Sequence, residues 1–350
     1  MHIHVRAEAH TATQPLQIAF SSHSSQALIS SIKDKASNRG AQISIGPKSM
    51  ATAPRVLVFG AAGDVGSAAA LQAHQESAKV FLAVRNIAKP IPNLDNVSLE
   101  KIQADLTKPE TVKAAVNETG AKVVFIYAVF GTDDGMRPSL LALKEAGVES
   151  VVLLSSFTVE GNPREVSPTD FIAWHHAQVE IALEDIFGVE NFTAIRPAYF
   201  ASNIFQHKRG IRQGLVELPN PEAQFDWISP SDIGRVCGTI LAHGTAQHIV
   251  RLVGAEKMAL KDAVAVISGV LGTQVEIHKI GADQALQNLL RTGTPPPVAS
   301  WMIHDAMQNA GASFRATGFE EAVGNIQKYT GKHAVKFQHW VEENKNKFQE

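Results

Sequence analysis

The sequence predicts an α/β chain: a doubly wound parallel sheet with a smaller, mostly helical C-terminal region on its substrate side. Three observations carry this. An apolar run, Val56 to Phe59, ends in the glycine-rich turn Gly60-Ala-Ala-Gly63-Asp64-Val65-Gly66 and passes directly into a helix-compatible segment, Ser67 to Gln75. From Arg55 to Pro197, apolar runs of strand length alternate with helical segments, the order of a parallel sheet with helices on both faces. After Pro197 the alternation is lost and helical segments dominate.

Residues 1–49 stand apart. They are rich in Ser, His and Ala and carry Arg6, Lys33, Lys35, Arg39 and Lys48 against the acids Glu8 and Asp34. Three readings compete: a disordered extension, an organelle-targeting segment of the Arg/Ser-rich, acid-poor kind, or a piece upstream of a start at Met50. Ala27 to Ile32 has a short helical pattern, and His2 and His4 read as solvated tail residues. The organisation expected is an extension over 1–53, a nucleotide-binding core over 54–200, and a substrate-side region over 201–350.

Within the core, Lys79–Val84 reads as the second strand and Val97–Ala104 as the third, ending at Asp105. Lys122–Ala128 is the fourth and Val151–Ser155 the fifth, with Gly147 placed to stop the helix between them. A longer helix runs from near Pro168 to Phe187, stopped by Gly188, and Phe192–Arg196 is the sixth strand. Right-handed crossovers then put a ligand crevice at the carboxyl ends of the strands. Further on, Ser229-Pro-Ser-Asp232 has the residues of a helix start. His248–Val253 and Gln274–Ile280 are short strand candidates, and Asp283–Leu290, Val298–Ala310, Phe319–Tyr329 and Val335–Phe348 read as helices. This region is expected to lack a large core of its own and to pack over the crevice, with Thr294-Pro-Pro-Pro297 as a stiff linker.

Composition narrows the function classes. At 350 residues, 45% hydrophobic and 19% charged, the chain has an ordinary soluble globular make-up and room for one large domain or two. A net charge of −2 gives no reason to expect nucleic acid or an anionic membrane as partner. No apolar run approaches the roughly 20 residues of a membrane helix. The single cysteine, Cys237, lies in an apolar helical pattern and reads as packing, and a lone thiol suits a reducing compartment such as the cytoplasm. The scattered histidines show no metal-ligand spacing.

Backbone N–H groups in the glycine turn, with the positive end of a helix dipole behind them, form a site for a pyrophosphate. Gly60, Gly63, Asp64, Val65 and Gly66 are therefore candidate dinucleotide-binding residues. An acid at the end of the second strand would favour NAD. Here that strand ends Val84-Arg85-Asn86, and the permanently charged fork of Arg85 suits a 2′-phosphate. The cofactor expected is NADP(H) in preference to NAD(H). Asp105 is placed for the adenine edge, and Tyr127, Ala128 and Val129 for the adenosine ribose.

Five stretches in this order resemble the NmrA-like family of atypical short-chain dehydrogenases/reductases, within the NAD(P)-binding Rossmann superfamily. They are the glycine turn; Trp174-His-His176-Ala-Gln-Val-Glu180 with Leu183 and Gly188; Ile195-Arg-Pro197-Ala-Tyr199-Phe200-Ala-Ser-Asn203; Trp227-Ile-Ser-Pro-Ser-Asp232-Ile-Gly234; and Tyr329-Thr-Gly331 with Trp340-Val-Glu-Glu-Asn344. The resemblance covers about 54–350.

The resemblance also implies a departure. The superfamily's usual Tyr-x-x-x-Lys pair is missing: its tyrosine position falls at Ile172 and its lysine position at His176, and none of Tyr127, Tyr199 and Tyr329 has Lys four residues later. His176 matches a lysine of plant relatives of the isoflavone reductase type, so proton transfer, cofactor contact and simple packing all stay open for it. His175 points about 100° away and faces elsewhere. Glu180, one turn on, is either an orienting partner for His176 or a structural acid. Ser155 and Ser156 end the fifth strand, near the nicotinamide side. Pro197, Tyr199, Phe200 and Asn203 follow the sixth, with Tyr199 a second candidate proton donor. Two classes of function remain. One is an NADP(H)-dependent oxidoreductase acting on a carbonyl, imine or activated double bond of a small apolar substrate. The other is a non-catalytic NAD(P)-sensing regulator with a protein partner. A third, a sugar-nucleotide epimerase, would need the missing tyrosine.

Overall fold

In the computed structural model, residues 53–132, 134–308 and 319–350 are described; the expectations for residues 1–49 and for 309–310 lie outside them. The first strand, β1 (Arg55–Phe59), is buried from Val56 onward because both faces of a parallel sheet are covered by helices. It is followed by α1 (Asp64–Gln75), β2 (Lys79–Val84), β3 (Glu100–Gln103), α2 (Pro109–Thr119), β4 (Val123–Tyr127), α3 (Arg137–Glu145), β5 (Ser150–Leu154), α4 (Phe171–Phe187) and β6 (Phe192–Pro197). Gly147, at φ 89°, follows α3 in the left-handed conformation its position called for.

The remaining elements are α5 (Lys208–Gln213), β7 (Leu215–Leu218), β8 (Gln224–Phe225), α6 (Pro230–His243), β9 (Ile249–Leu252), β10 (Met258–Ala259), α7 (Leu260–Leu271), β11 (Glu276–Lys279), α8 (Ala282–Arg291) and α9 (Pro296–Met307). Past the undescribed stretch come α10 (Phe319–Ala322), α11 (Asn325–Thr330), α12 (Phe337–Glu343) and α13 (Lys345–Gln349).

The main sheet runs β3-β2-β1-β4-β5-β6-β9, with every neighbouring pair parallel. The strand order reverses between β1 and β4, and such a reversal opens a crevice at the carboxyl edge. Period-2 alternation divides the core. Leu57, Phe59, Val124 and Ile126 pack with Val112, Leu140 and Leu183 from α2, α3 and α4 on one face. Val56, Val58, Phe125 and Val152 pack with Ala69, Val236 and Cys237 from α1 and α6 on the other. Cys237 is thus a core residue, and burial pushes its thiol well up.

Several expectations change. The third strand is shorter than 97–104, since the Val97 N–H bonds back to the Leu94 carbonyl at 3.0 Å and the Leu99 N–H to the Val97 carbonyl at 3.1 Å, so pairing starts only at Glu100. The His248–Val253 candidate becomes β9, the outer parallel strand of the main sheet, whereas β11 pairs with β7 in a separate two-stranded ribbon. Two prolines expected in a linker open α9, where their missing N–H groups cost nothing. The helix expected over 319–329 breaks at Gly324, and the last one breaks at Asn344.

The substrate-side region also has a core, contrary to expectation. Phe225, Trp227, Val264, Ile267, Phe337, Trp340 and Phe348 form a cluster of their own. Widely separated aromatics supply its volume, and these carry no local period in the sequence. Ser229 caps α6 through Oγ, accepting from the Ser231 N–H at 3.2 Å. Asp232 (Oδ2) accepts from the Val335 N–H at 2.8 Å and ties the C-terminal segment to α6. The described residues from 53 onward belong to one compact unit. Among the described residues no helix is long and apolar enough to cross a membrane.

Candidate functional site

A cavity of about 1120 Å³ lies along the carboxyl ends of the strands. At one end is the turn after β1. The Gly63 N–H closes on the Gly60 carbonyl at 2.9 Å, which puts Gly60 at φ +70°. A Cβ on Gly60 would meet the Tyr127 ring at 2.8 Å, and one on Gly66 would sit 2.3 Å from the Gly60 oxygen. Only hydrogen fits at Gly66, where the neighbour is backbone, and the left-handed φ favours glycine at Gly60. No side chain caps α1, so its first N–H groups are free to meet an anion where the helix dipole is positive. Asp64, in the same turn, pairs with Lys347 (Nζ) at 3.2 Å.

Along the cavity, β2 delivers Arg85 and Asn86, and Lys89 follows on the same wall. Asp105 accepts from the Thr107 N–H at 3.0 Å and its hydroxyl at 2.8 Å. Those bonds, with small help from Lys108 and Arg85, hold its carboxyl below the usual range. Tyr127 and Ala128 line the wall beyond β4. Val129 does not: it packs into the core, and its N–H donates to the Met136 sulfur at 3.4 Å.

The far end is built from α4, β5, β6 and α9. Ile172 and His176, one turn apart, face the cavity. The His176 Nδ1 is buried without a hydrogen-bond partner, and its ring meets Phe130 edge-on at 5.5 Å. Burial, with a smaller push from His175, lowers its pKa to about 4, so the imidazole is neutral near pH 7. His175 turns elsewhere and bonds the Phe171 carbonyl at 2.8 Å.

Glu180 does not reach His176. It is buried against Arg196, accepting from Nε at 3.0 Å and from the terminal amino group at 2.5 Å, and also accepts from the Ser155 hydroxyl at 2.5 Å. Glutamate points one further turn along α4 toward β6, where the arginine sits.

Tyr199, after β6, is held by its N–H to Asp226 at 3.0 Å, and its ring stacks on Phe225 at 4.0 Å. Its hydroxyl accepts from Gln206 at 3.4 Å. Burial, helped by the nearby Asp305 charge, pushes the phenol well up, so it keeps its proton throughout the working range. Pro197, Phe200 and Asn203 share this wall. All the residues expected at the site except Val129 line this one cavity. Among the lining residues that were not foreseen are Lys89, Phe130, and Trp301 and Asp305 from α9. A basic residue four places after Arg85 was a usable signal for Lys89. No local pattern marks the α9 pair, which arrives from a helix a hundred residues away. Among the described residues no group of His, Cys, Asp or Glu is arranged to hold a metal.

A sequence model of the NmrA-like family matches residues 52–342. The chain belongs to the NmrA-like family. A curated relative, the nitrogen metabolite regulation-like protein bik4 of Gibberella fujikuroi, is 34% identical over 314 residues, covering 82% of this chain and 95% of that protein. A (4-alkanoyl-5-oxo-2,5-dihydrofuran-3-yl)methyl phosphate reductase of Streptomyces griseus is 29% identical over 232 residues, 65% of this chain and 78% of that protein. Among solved structures, an NADPH-dependent quinone oxidoreductase from Escherichia coli superposes with a TM-score of 0.64 at 18% identity, covering 82% of this chain and 98% of its own. The Citrobacter triphenylmethane reductase complexed with NADP(H) gives 0.63 at 18%, covering 82% and 99%. These structural matches bear on the fold of the NmrA-like chain, and its chemistry rests on its own residues.

Proposed function

We propose that this NmrA-like protein is an NADP(H)-dependent oxidoreductase that reduces a carbonyl, imine or activated double bond of a small, apolar substrate. The observation that carries the reading is the continuity of one cavity, from the uncapped end of α1 past His176 to Tyr199 and Trp301. A dinucleotide fits the first stretch: the Gly66 cradle would be filled by any Cβ, and the α1 N–H groups lack partners. Arg85, with Lys89 beside it, would hold a 2′-phosphate, and Asp105 and Tyr127 would border the adenosine. When bound, the nicotinamide supplies a hydride. The far end, where Ile172, Phe200 and Trp301 stand beside Tyr199, Asn203 and Asp305, would hold the substrate.

Two proton-bearing groups flank that space. His176 is neutral, so it would act by N–H donation to a developing oxyanion and not as an imidazolium. Tyr199, kept protonated by burial, would do the same from the other wall. Relatives named as reductases support this chemistry.

A second reading, a non-catalytic NAD(P)-sensing regulator with a protein partner, is favoured by the regulatory name of the 34%-identical relative and by Ile172 in place of the superfamily's tyrosine. Fluorescence titration with NADPH, followed by NADPH consumption with ketones, quinones and imines, separates the two. Turnover on any of them supports the oxidoreductase; tight binding with none supports the sensor.

A further inference from the structure

The turn that would hold a diphosphate carries an acid. Asp64 is the first residue of α1, so its carboxylate lies within one short side chain of the N–H groups that open the helix. By itself an acid there suits the helix dipole. Beside a diphosphate bound by the same N–H groups it is a like charge. The two would stand closer than the Debye length of roughly 8 Å at physiological salt, so they repel.

A cation from the other end of the sequence answers that charge. Lys347 (Nζ) stands 3.2 Å from Asp64 (Oδ1), across 283 residues of chain. Among the described residues it is the one cation paired with Asp64; Asn93 (Nδ2), which is neutral, also donates to it at 3.5 Å. The neighbouring residue fixes where Lys347 stands. Phe348 is fully buried and packs on Phe205 at 4.8 Å and Trp340 at 6.3 Å, and a step of about 100° along α13 turns Lys347 away from that cluster. The Lys347 and Asp64 side chains are 42% and 43% exposed, and an ion pair this open adds little stability.

We propose that Lys347 is a cofactor-binding residue delivered by the last helix, and that its charge offsets Asp64 so that the glycine turn presents no net repulsion to a diphosphate. This rests on the dinucleotide reading above. The effect belongs to the diphosphate, which NADPH and NADH share, and is blind to the 2′-phosphate assigned to Arg85.

Dissociation constants for NADPH and NADH, measured by fluorescence on the full chain and its variants, test it. At about 0.01 M salt, Lys347→Met weakens both cofactors by roughly 3-fold, the scale of one exposed charge interaction, and Asp64→Asn tightens both by a similar factor. The double variant returns to within about 2-fold of wild type. At about 1 M salt, where the Debye length shrinks to roughly 3 Å, all four proteins converge. A pair that merely ties the last helix to the turn predicts the opposite sign for Asp64, because breaking the tie from either side would weaken binding. Weaker binding in Asp64→Asn, unchanged affinity in Lys347→Met, or a loss confined to NADPH overturns the proposal. Failure of the wild type to bind either dinucleotide overturns the dinucleotide reading itself. If Lys347→Met does not fold, the sign of the Asp64→Asn effect decides alone.

Discussion

At the residue scale, charge and protonation decide most of what the cavity can do. Arg85 offers the planar fork that a 2′-phosphate needs, so Arg85→Ala should weaken NADPH by about 10-fold or more and NADH by far less. Comparing the two dissociation constants checks this, and equal losses would remove the 2′-phosphate assignment. His176 is neutral because burial disfavours its charged form. Turnover should then be flat from about pH 5.5 to 8, and His176→Ala should lower it by on the order of 10²-fold. A rate inflecting near the reference value of about 6.5 would mean that an exposed imidazolium does the work. His207 is likewise pushed down by burial to about 4. For both rings the folded value lies below the unfolded one of about 6.5, so the unfolded chain binds more protons between them. Stability from this source is complete above about pH 6.5 and drains away as pH falls toward 4. Thermal melts from pH 7 to 4 should slope less in His176→Gln and His207→Gln; an unchanged slope would contradict the burial account. The sequence revealed which types of residue border the site, because strand ends and motif positions carry them. It did not reveal protonation, because burial of a ring depends on what other elements lay over it.

At the element scale, the glycine turn was legible in full. Strand, turn and helix are consecutive, and their geometry is dictated locally. Gly66→Ala would drive a methyl into the Gly60 carbonyl, a backbone atom that cannot yield, so the turn must deform. The expected result is loss of NADPH binding with the rest of the fold intact, read by titration alongside circular dichroism. Undiminished affinity would place the dinucleotide elsewhere. The partner of Glu180 was not legible: Arg196 is sixteen residues on, and only the packing of α4 against β6 brings them together. The two prolines read as linker belong instead to the first turn of α9, and proline residues suit both roles. Helix α9 itself was foreseen as a helix, but its arrival over the cavity with Trp301 and Asp305 was not.

At the scale of the whole molecule, a sevenfold parallel sheet with reversed strand order opens a crevice, and one cavity along that edge unites residues from the turn after β1 to α9. The parallel core could be read from alternation alone. The aromatic cluster beneath the substrate side could not, because Phe225, Trp227, Phe337 and Phe348 meet only through tertiary packing. NmrA-like membership is compatible with catalysis and with sensing alike, and the cavity beyond His176 argues for catalysis. Truncating the far wall tests that: Trp301→Ala should raise KM for substrate while leaving the NADPH dissociation constant within about 2-fold, since a large aromatic surface is lost only at that end of the cavity. The most direct measurement remains NADPH oxidation by the purified chain against a panel of quinones, ketones and imines, with binding followed in parallel. The account predicts tight NADPH binding and measurable turnover with at least one apolar substrate, abolished together by Gly66→Ala. Tight binding with no turnover across the panel would contradict it.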